Sequence, residues 1–317
     1  MKIVVTDDNT VVGNGVTLDF LQEFGDVEIY HDTAPEELDE RIADADIVLV
    51  NKVVMTAPVI RRAPKLRFIG LFATGYNNVD LDAARECGIP VCNVPGYSTE
   101  AVAQHTFGLL LELTNQIGGY DRSVAAGDWI NSQAFSYYTL ALTELSGKSF
   151  GIVGYGAIGH RVAQIAHAFG MEVLAYGRHP IADPTVTYLP LEDLLRQADV
   201  VSLHCPLNAE SDTMMNEAAF AAMKPGALFI NTARGALVDE RALRAALDSG
   251  HLGGAAVDVL RQEPMRADCP LYGAPRCVIT PHIAWAGVET RRRLVLMVRD
   301  NIRAFLRGET VNDVTGG

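Results

Sequence analysis

One segment constrains this chain more than any other. Lys148–Val153 is a β-forming run that leads without a break into Gly154-Tyr155-Gly156-Ala157-Ile158-Gly159, and a helical pattern follows at once. A Gly-x-Gly-x-x-Gly on its own also marks an ordinary glycine turn. With a strand before it and an amphipathic helix after it, the pattern reads as a dinucleotide fingerprint. Gly154 permits the tight turn, Gly156 lets a pyrophosphate approach bare backbone, and Gly159 allows the helix to pack closely on the strand. The phosphates then lie at the positive end of the helix.

The ribose position departs from the NAD pattern. An acid is expected at the tip of the second strand, roughly 20 residues beyond the glycines, to accept the hydroxyl bonds of the adenosine ribose. Here Val173–Tyr176 ends in Gly177-Arg178-His179. An arginine without a carboxylate favours a 2′-phosphate, which a guanidinium grips with charge-assisted bonds. The expected cofactor is therefore NADPH, with NADH as the alternative if Arg178 only faces solvent.

Around this motif the chain alternates short apolar runs with helical patterns, and does so twice. Strands are expected at 3–5, 27–30, 47–50, 66–72 and 90–94, then at 149–153, 172–176, 200–204, 227–231, 254–257 and 278–280. Helices are expected at 35–43, 81–87, 100–114, 158–169, 191–197, 217–223, 240–248 and 289–306. Such alternation predicts parallel strands covered by helices on both faces. A chain of 317 residues also exceeds what one core usually organises. The expected architecture is α/β, with two Rossmann-like parallel-sheet domains, one flavodoxin-like and one dinucleotide-binding, around a cleft. Turn residues at Pro95-Gly96-Tyr97-Ser98 mark a boundary, and the last helix is expected to pack back on the first unit. That gives a discontinuous substrate domain of residues 1–97 plus 287–317 and a cofactor domain of residues 98–286, with hinges near 96–98 and 286–288.

Charge narrows the partners. Lys and Arg number 26 against 39 Asp and Glu, a formal net of -13. Residues 1–50 carry 13 acids and 2 bases, net -11, so the remainder stands near neutrality at -2. A chain this acidic has no general attraction for nucleic acid or anionic lipid. The five cysteines, Cys87, Cys92, Cys205, Cys269 and Cys277, show no Cys-x-x-Cys spacing and sit in apolar stretches. That usage suits a reducing, cytoplasmic compartment. No apolar run has the length of a membrane span, and no clustered acids, histidines or cysteines suggest a metal.

Three further clusters each follow an expected strand in the second half. They are Asn231-Thr232-Ala233-Arg234-Gly235, Asp258-Val259-Leu260 with Gln262-Glu263-Pro264, and Pro281-His282-Ile283-Ala284-Trp285. The carboxyl ends of strands in an open α/β sheet face the ligand crevice. Arg, Glu and His delivered there suit a reductase: a cation for an anionic substrate, an imidazole to move a proton, a carboxylate to tune it. Singly, Arg234 also reads as a salt-bridge partner, Glu263 as a turn acid and His282 as a loop histidine. Their order and shared position after strands set them apart from those readings. His105, inside an apolar helix, and His204, at a strand end, read as structural. Arg291–Arg293 reads as a solvated face or a partner for the acidic N-terminal segment.

The glycine loop with these clusters resembles the D-isomer-specific 2-hydroxyacid dehydrogenase family over essentially the whole chain. The stretches at 73–80, 94–99, 102–106 and 282–287 resemble its glycerate dehydrogenase branch, the hydroxypyruvate and glyoxylate reductases. The resemblance implies that Arg234 holds the substrate carboxylate and polarises the 2-keto oxygen. It implies that His282 protonates that oxygen as hydride arrives, and that Glu263 bonds the imidazole and raises its pKa. The amides of Thr74 and Gly75 would grip the carboxylate, and Tyr76 and Trp285 would shape the pocket. On the cofactor side, the resemblance assigns Thr106 to the pyrophosphate and Ala157, Ile158 and Gly159 to the phosphates. It places Thr232, Ala233, Arg234, His282 and Asp258 at the nicotinamide end, Asp258 bonding the carboxamide. A homodimer through the cofactor domain is implied, with the apolar stretch 118–145 as its contact. Two alternatives stay open: a bulkier or phosphorylated 2-hydroxy acid as substrate, and a non-enzymatic dinucleotide sensor.

Overall fold

In the computed structural model, residues 1–316 are described, and the chain divides into two compact units. One comprises Met1–Ser98 with Trp285–Gly317, the other Thr99–Ala284.

The first unit is built on a parallel sheet of β1 (Lys2–Val5), β2 (Asp26–Ile29), β3 (Ile47–Val50), β4 (Phe68–Leu71) and β5 (Val91–Cys92), in the order β2-β1-β3-β4-β5. Its connections include α1 (Pro35–Ile42), α2 (Ala57–Arg61) and α3 (Leu81–Glu86). Central strands β3 and β4 are buried at every position, as an unbroken apolar run requires when both faces are covered. Asp80 accepts the Ala83 N–H at 2.9 Å and so fixes where α3 begins.

The second unit starts with α4 (Thr99–Asn115) and α5 (Ile117–Ala125). Then follow β6 (Ser149–Val153), α6 (Ala157–Ala168), β7 (Glu172–Tyr176), β8 (Thr187–Tyr188), α7 (Leu191–Gln197), β9 (Val200–Leu203), α8 (Glu217–Ala222), β10 (Leu228–Asn231), α9 (Glu240–Asp248), β11 (Gly254–Val257) and β12 (Cys277–Ile279). All strand pairs are parallel, in the order β12-β11-β10-β9-β6-β7-β8. The strand order reverses beside β6, whose neighbours are β7 on one side and β9 on the other. The glycine loop leaves β6 at that reversal, the place where open α/β sheets bind ligands.

The closing helix α10 (Val288–Leu306) lies on the first unit, where Leu294, Val298 and Ile302 join Ile3, Val5 and Phe68 in one core. Arg291 on this helix corrects the expectation of a solvated face. It is 6% exposed, and its guanidinium donates to the carbonyls of Val11, Val12, Gly13 and Ala286 at 2.8–3.2 Å. Its partners are four carbonyls; no carboxylate of the acidic N-terminal segment pairs with it. A buried guanidinium has five donors to satisfy, and backbone oxygens do so without a second desolvated charge.

Other elements differ from the sequence expectation. Residues 66–72 shorten to β4 because Leu66 N–H turns back to the Ala63 carbonyl. Residues 90–94 shorten to β5, since Asn93 N–H bonds the carbonyl of Asn312 in the C-terminal segment instead of a sheet neighbour. The elements α2, α5 and β8 were not anticipated.

Candidate active site

Each glycine of the fingerprint has a separate steric reason. Gly154 has φ +102°, and a Cβ there would lie 2.5 Å from Cys205 N at the end of β9. A Cβ on Gly159 would lie 2.2 Å from the Gly154 carbonyl oxygen. Gly156 is different: a Cβ would meet nothing within 4 Å, and no side-chain bond caps α6. The open side of the loop is therefore the side of the α6 N-terminus, where the amides of Ala157, Ile158 and Gly159 begin the helix. These residues fit a dinucleotide pyrophosphate on geometry alone.

Arg178 follows β7 on an exposed loop, and among the described residues no acid pairs with it. That loop is tied to the glycine turn, because Tyr155 Oη donates to Asp183 Oδ2 at 2.7 Å. Hydrogen bonds from the Thr185 hydroxyl, Tyr155 and the Thr185 amide hold the Asp183 carboxyl down at about 2. It stays ionised through the neutral range, so the tie persists there.

The end of β10 shapes the Arg234 turn. Asn231 Oδ1 accepts the Ala233 N–H at 3.0 Å while its Nδ2 donates to the Arg234 carbonyl at 2.9 Å. A Cβ on Gly235 would lie 1.9 Å from the Leu260 carbonyl carbon, so this glycine lets the Arg234 turn press against the Leu260–Glu263 loop. Arg234 is half-buried, its Nη1 donates to the Ala233 carbonyl at 2.7 Å, and no carboxylate pairs with it among the described residues. A partly desolvated guanidinium without a carboxylate suits an anionic ligand.

Glu263 and His282, 19 residues apart, meet here. Glu263 Oε2 is 2.6 Å from His282 Nδ1, while its Oε1 accepts the Leu260 N–H at 2.9 Å. The carboxylate is thus anchored on one side and orients the imidazole on the other. His282 itself has φ +55°, a left-handed conformation that histidine adopts at a cost.

Asp258 holds that conformation. Its carbonyl accepts the His282 N–H at 2.8 Å, and its carboxylate accepts Ile283 N–H at 2.9 Å and Ala284 N–H at 2.8 Å. The Thr280 hydroxyl adds a bond at 2.6 Å. Burial pushes the Asp258 carboxyl up, but bonds from His105, Thr280 and the two amides outweigh it, and the pKa falls below the usual value. The role visible in the structure is to fasten the His282 loop.

Thr106 sits behind the Arg234 turn. It is fully buried, donates its hydroxyl to the Val102 carbonyl at 2.8 Å, and lies 3.1 Å from Thr232 Oγ1. Its contact is with the turn that carries Arg234.

In the first unit, Thr74 is fixed by its hydroxyl on the Val94 carbonyl at 2.7 Å and by Asn93 Nδ2 on its own carbonyl at 2.7 Å. Tyr76 is exposed, Gly75 half-buried, and Trp285 packs at the edge of the α10 core. Asp7, 4% exposed, accepts the amides of Asn51, Lys52 and Val53 at 2.9, 2.5 and 3.2 Å. Asn78 Nδ2 bonds the Val53 carbonyl at 2.9 Å, linking that loop to the one bearing Thr74. Asp7 was not singled out in the sequence; an acid two residues after β1 was the available signal.

His204 follows β9 with Nε2 2.9 Å from Ser202 Oγ and Nδ1 buried without a partner. Burial lowers its pKa from 6.5 to about 3. The unfolded chain therefore takes up this proton first, so the stability His204 confers is complete above 6.5 and declines as pH falls toward 3. Between those limits the wild type should lose up to about 1.4 kcal/mol per pH unit from this residue. Urea unfolding at several pH values should show a shallower slope for His204→Asn; equal slopes would refute the assignment.

The family description "D-isomer specific 2-hydroxyacid dehydrogenase, NAD binding domain" matches residues 107–284, which hold the glycine loop and all of Arg234, Glu263 and His282. The chain belongs to this family. It is an oxidoreductase of the NAD-binding D-2-hydroxyacid dehydrogenases. Among its relatives is a "Hydroxypyruvate reductase" of Blautia hydrogenotrophica, 41% identical over 99% of both chains. Another is a "Glycerate dehydrogenase" of Methylorubrum extorquens, 39% identical over 99% of this chain and 98% of that one. The crystal structure of the TT0316 protein from Thermus thermophilus superimposes with a TM-score of 0.88 at 40% identity over 99% of each chain. No helix among the described residues is long and apolar enough to cross a membrane.

Proposed function

We propose that this dehydrogenase reduces hydroxypyruvate or glyoxylate to D-glycerate or glycolate, with His282 as general acid. The Glu263–His282 contact at 2.6 Å, on the sheet edge that also carries Arg234, supports this reading most strongly. With Nδ1 directed at Glu263, the imidazole uses Nε2 to deliver its proton to the 2-keto oxygen. Arg234 binds the carboxylate and polarises that oxygen. The dinucleotide, when bound, supplies the hydride that reaches C2. In the reverse direction His282 takes the hydroxyl proton back. The choice of these keto acids rests on the names of the relatives. A phosphorylated acid finds no basic cluster at 74–78 to receive its phosphate.

We assign the first unit, expected as residues 1–97 with 287–317, to the substrate domain and the second, expected as 98–286, to the cofactor domain. The preferred dinucleotide is NADPH, held at its 2′-phosphate by Arg178. A panel of keto acids assayed with NADH and NADPH tests both choices. Arg178→Ala should lower kcat/KM for NADPH about tenfold, the worth of one exposed charge-assisted bond, and leave NADH unaffected. An NADH preference in the wild type would overturn the cofactor assignment, and turnover of bulky acids alone would overturn the substrate.

The stretch 118–145 exposes Trp129, Phe135 and Tyr138 at 53%, 92% and 80%. A monomer rarely leaves so much aromatic surface uncovered, so this is the proposed homodimer contact. Sedimentation should give a dimer for the wild type and a monomer for Phe135→Ser/Tyr138→Ser; a monomeric wild type would end this proposal. Five cysteines without a disulfide accord with a cytoplasmic setting.

A further inference from the structure

Helix α4 touches both loops that carry the proposed catalytic side chains, through two consecutive residues. Thr106 meets Thr232 on the Arg234 turn. His105, half-buried, places Nε2 3.0 Å from Thr280 Oγ1 and 3.5 Å from Asp258 Oδ1. The proton positions in this cluster follow from elimination. Ionised Asp258 only accepts, so the single Thr280 hydroxyl proton goes to Asp258 at 2.6 Å. Thr280 Oγ1 is then an acceptor toward His105, whose Nε2 carries a proton. The order is a directed relay: His105 Nε2–H to Thr280 Oγ1, Thr280 O–H to Asp258 Oδ1, and Asp258 to three successive amides at His282, Ile283 and Ala284.

We infer that His105 is a positioning residue for the proton-transfer step, acting through Thr280 and Asp258 to hold His282 where it meets the substrate. The physical reason lies in the His282 backbone. A histidine at φ +55° persists only where its surroundings over-determine it, and here the surroundings are the two ends of one buried carboxylate residue. Asp258, at 1% exposure, keeps its charge only while enough donors face it. His105 is the one donor of the cluster contributed by a helix outside the β11–β12 region. It ties the His282 loop to the same rigid element that Thr106 ties to the Arg234 turn, so the acid and the carboxylate-binding cation share a mounting.

The inference rests on the reductase reading, and the experiment separates the two. The wild type, His105→Phe, His105→Gln, Thr280→Val and the His105→Phe/Thr280→Val pair are assayed for hydroxypyruvate reduction with NADPH. His105→Phe and Thr280→Val should each lower kcat about 10- to 100-fold, as displacement of a reacting group does. The keto-acid KM should stay nearly constant, because the lost interaction belongs to the transition state. Gln presents an N–H at the reach of Nε2, so His105→Gln should restore kcat to within about twofold of the wild type, and the double variant should be no slower than the slower single one. Wild-type kcat in His105→Phe or Thr280→Val, failure of Gln to rescue, or multiplicative losses in the double variant would each overturn the relay. If His105→Phe does not fold, Thr280→Val and His105→Gln decide alone. A wild type without turnover would instead overturn the reductase reading.

Discussion

Substituting His282 with Asn is expected to lower kcat by about 10²- to 10⁴-fold, the range that a positioned general acid contributes. Asparagine is chosen because it tolerates the left-handed backbone that His282 adopts at φ +55°. The three amide bonds to Asp258 then survive, and what disappears is the transferable proton. Substrate KM should change little, since keto acid and cofactor bind before the proton moves. Glu263→Gln separates orientation from charge: the amide can still meet Nδ1, but the imidazolium loses its carboxylate neighbour. Its kcat should fall less than that of His282→Asn. If His282→Asn retained wild-type kcat, the proton would have another donor and the assignment would fail.

The second large effect is expected at Arg234. Among the described residues its guanidinium has no carboxylate partner, and it is already partly desolvated, so an anionic substrate would satisfy it with little competing cost. Removing one member of such a charge pair typically costs about 2–5 kcal/mol, so Arg234→Ala should lose roughly 30- to 5,000-fold in kcat/KM. Loss of carboxylate binding raises KM, and loss of polarisation at the keto oxygen lowers kcat, so both should change. Arg234→Lys keeps the charge but not the planar fork, and should recover only part of the loss. Millimolar guanidinium added to Arg234→Ala should restore some turnover. A variant changed in KM alone would show that Arg234 binds substrate without polarising it.

Much of this site is visible in the sequence for a local reason. Strands β3, β6, β7 and β11 are short apolar runs with turn residues behind them, and their bounds match the expectation residue for residue. Arg234, Glu263 and His282 each follow such a run, so the rule that strand ends carry ligands identifies them without any contact being known. What stayed hidden has no local signature. β8 is two residues on a sheet edge with one exposed side chain, too short for a pattern. α5 contains Gly118 and Gly119, poor helix formers that leave its sequence without a clear helical signal. His105 and Thr280 are 175 residues apart, and Asp7 caps a loop 44 residues away. Within its own helix, His105 looks like any half-buried polar residue on an apolar face. The aspartate at 258 was found, but its engagement with three amides was not, because it depends on how the chain after β12 folds back.

The acidity of the chain also takes on a specific meaning. A protein of net -13 that binds a polyanionic cofactor and an anionic acid must rely on local cations and helix ends. Arg178, Arg234 and the first turn of α6 are such groups, all outside the strongly acidic first 50 residues.

The most direct measurement is the reduction of hydroxypyruvate by the purified protein with NADPH, followed by nicotinamide absorbance and by the chirality of the glycerate formed. The account predicts steady oxidation of NADPH with D-glycerate as product, and near-complete loss of both in His282→Asn. Dinucleotide binding without turnover of hydroxypyruvate, glyoxylate or any other 2-keto acid would contradict it and favour a sensing role.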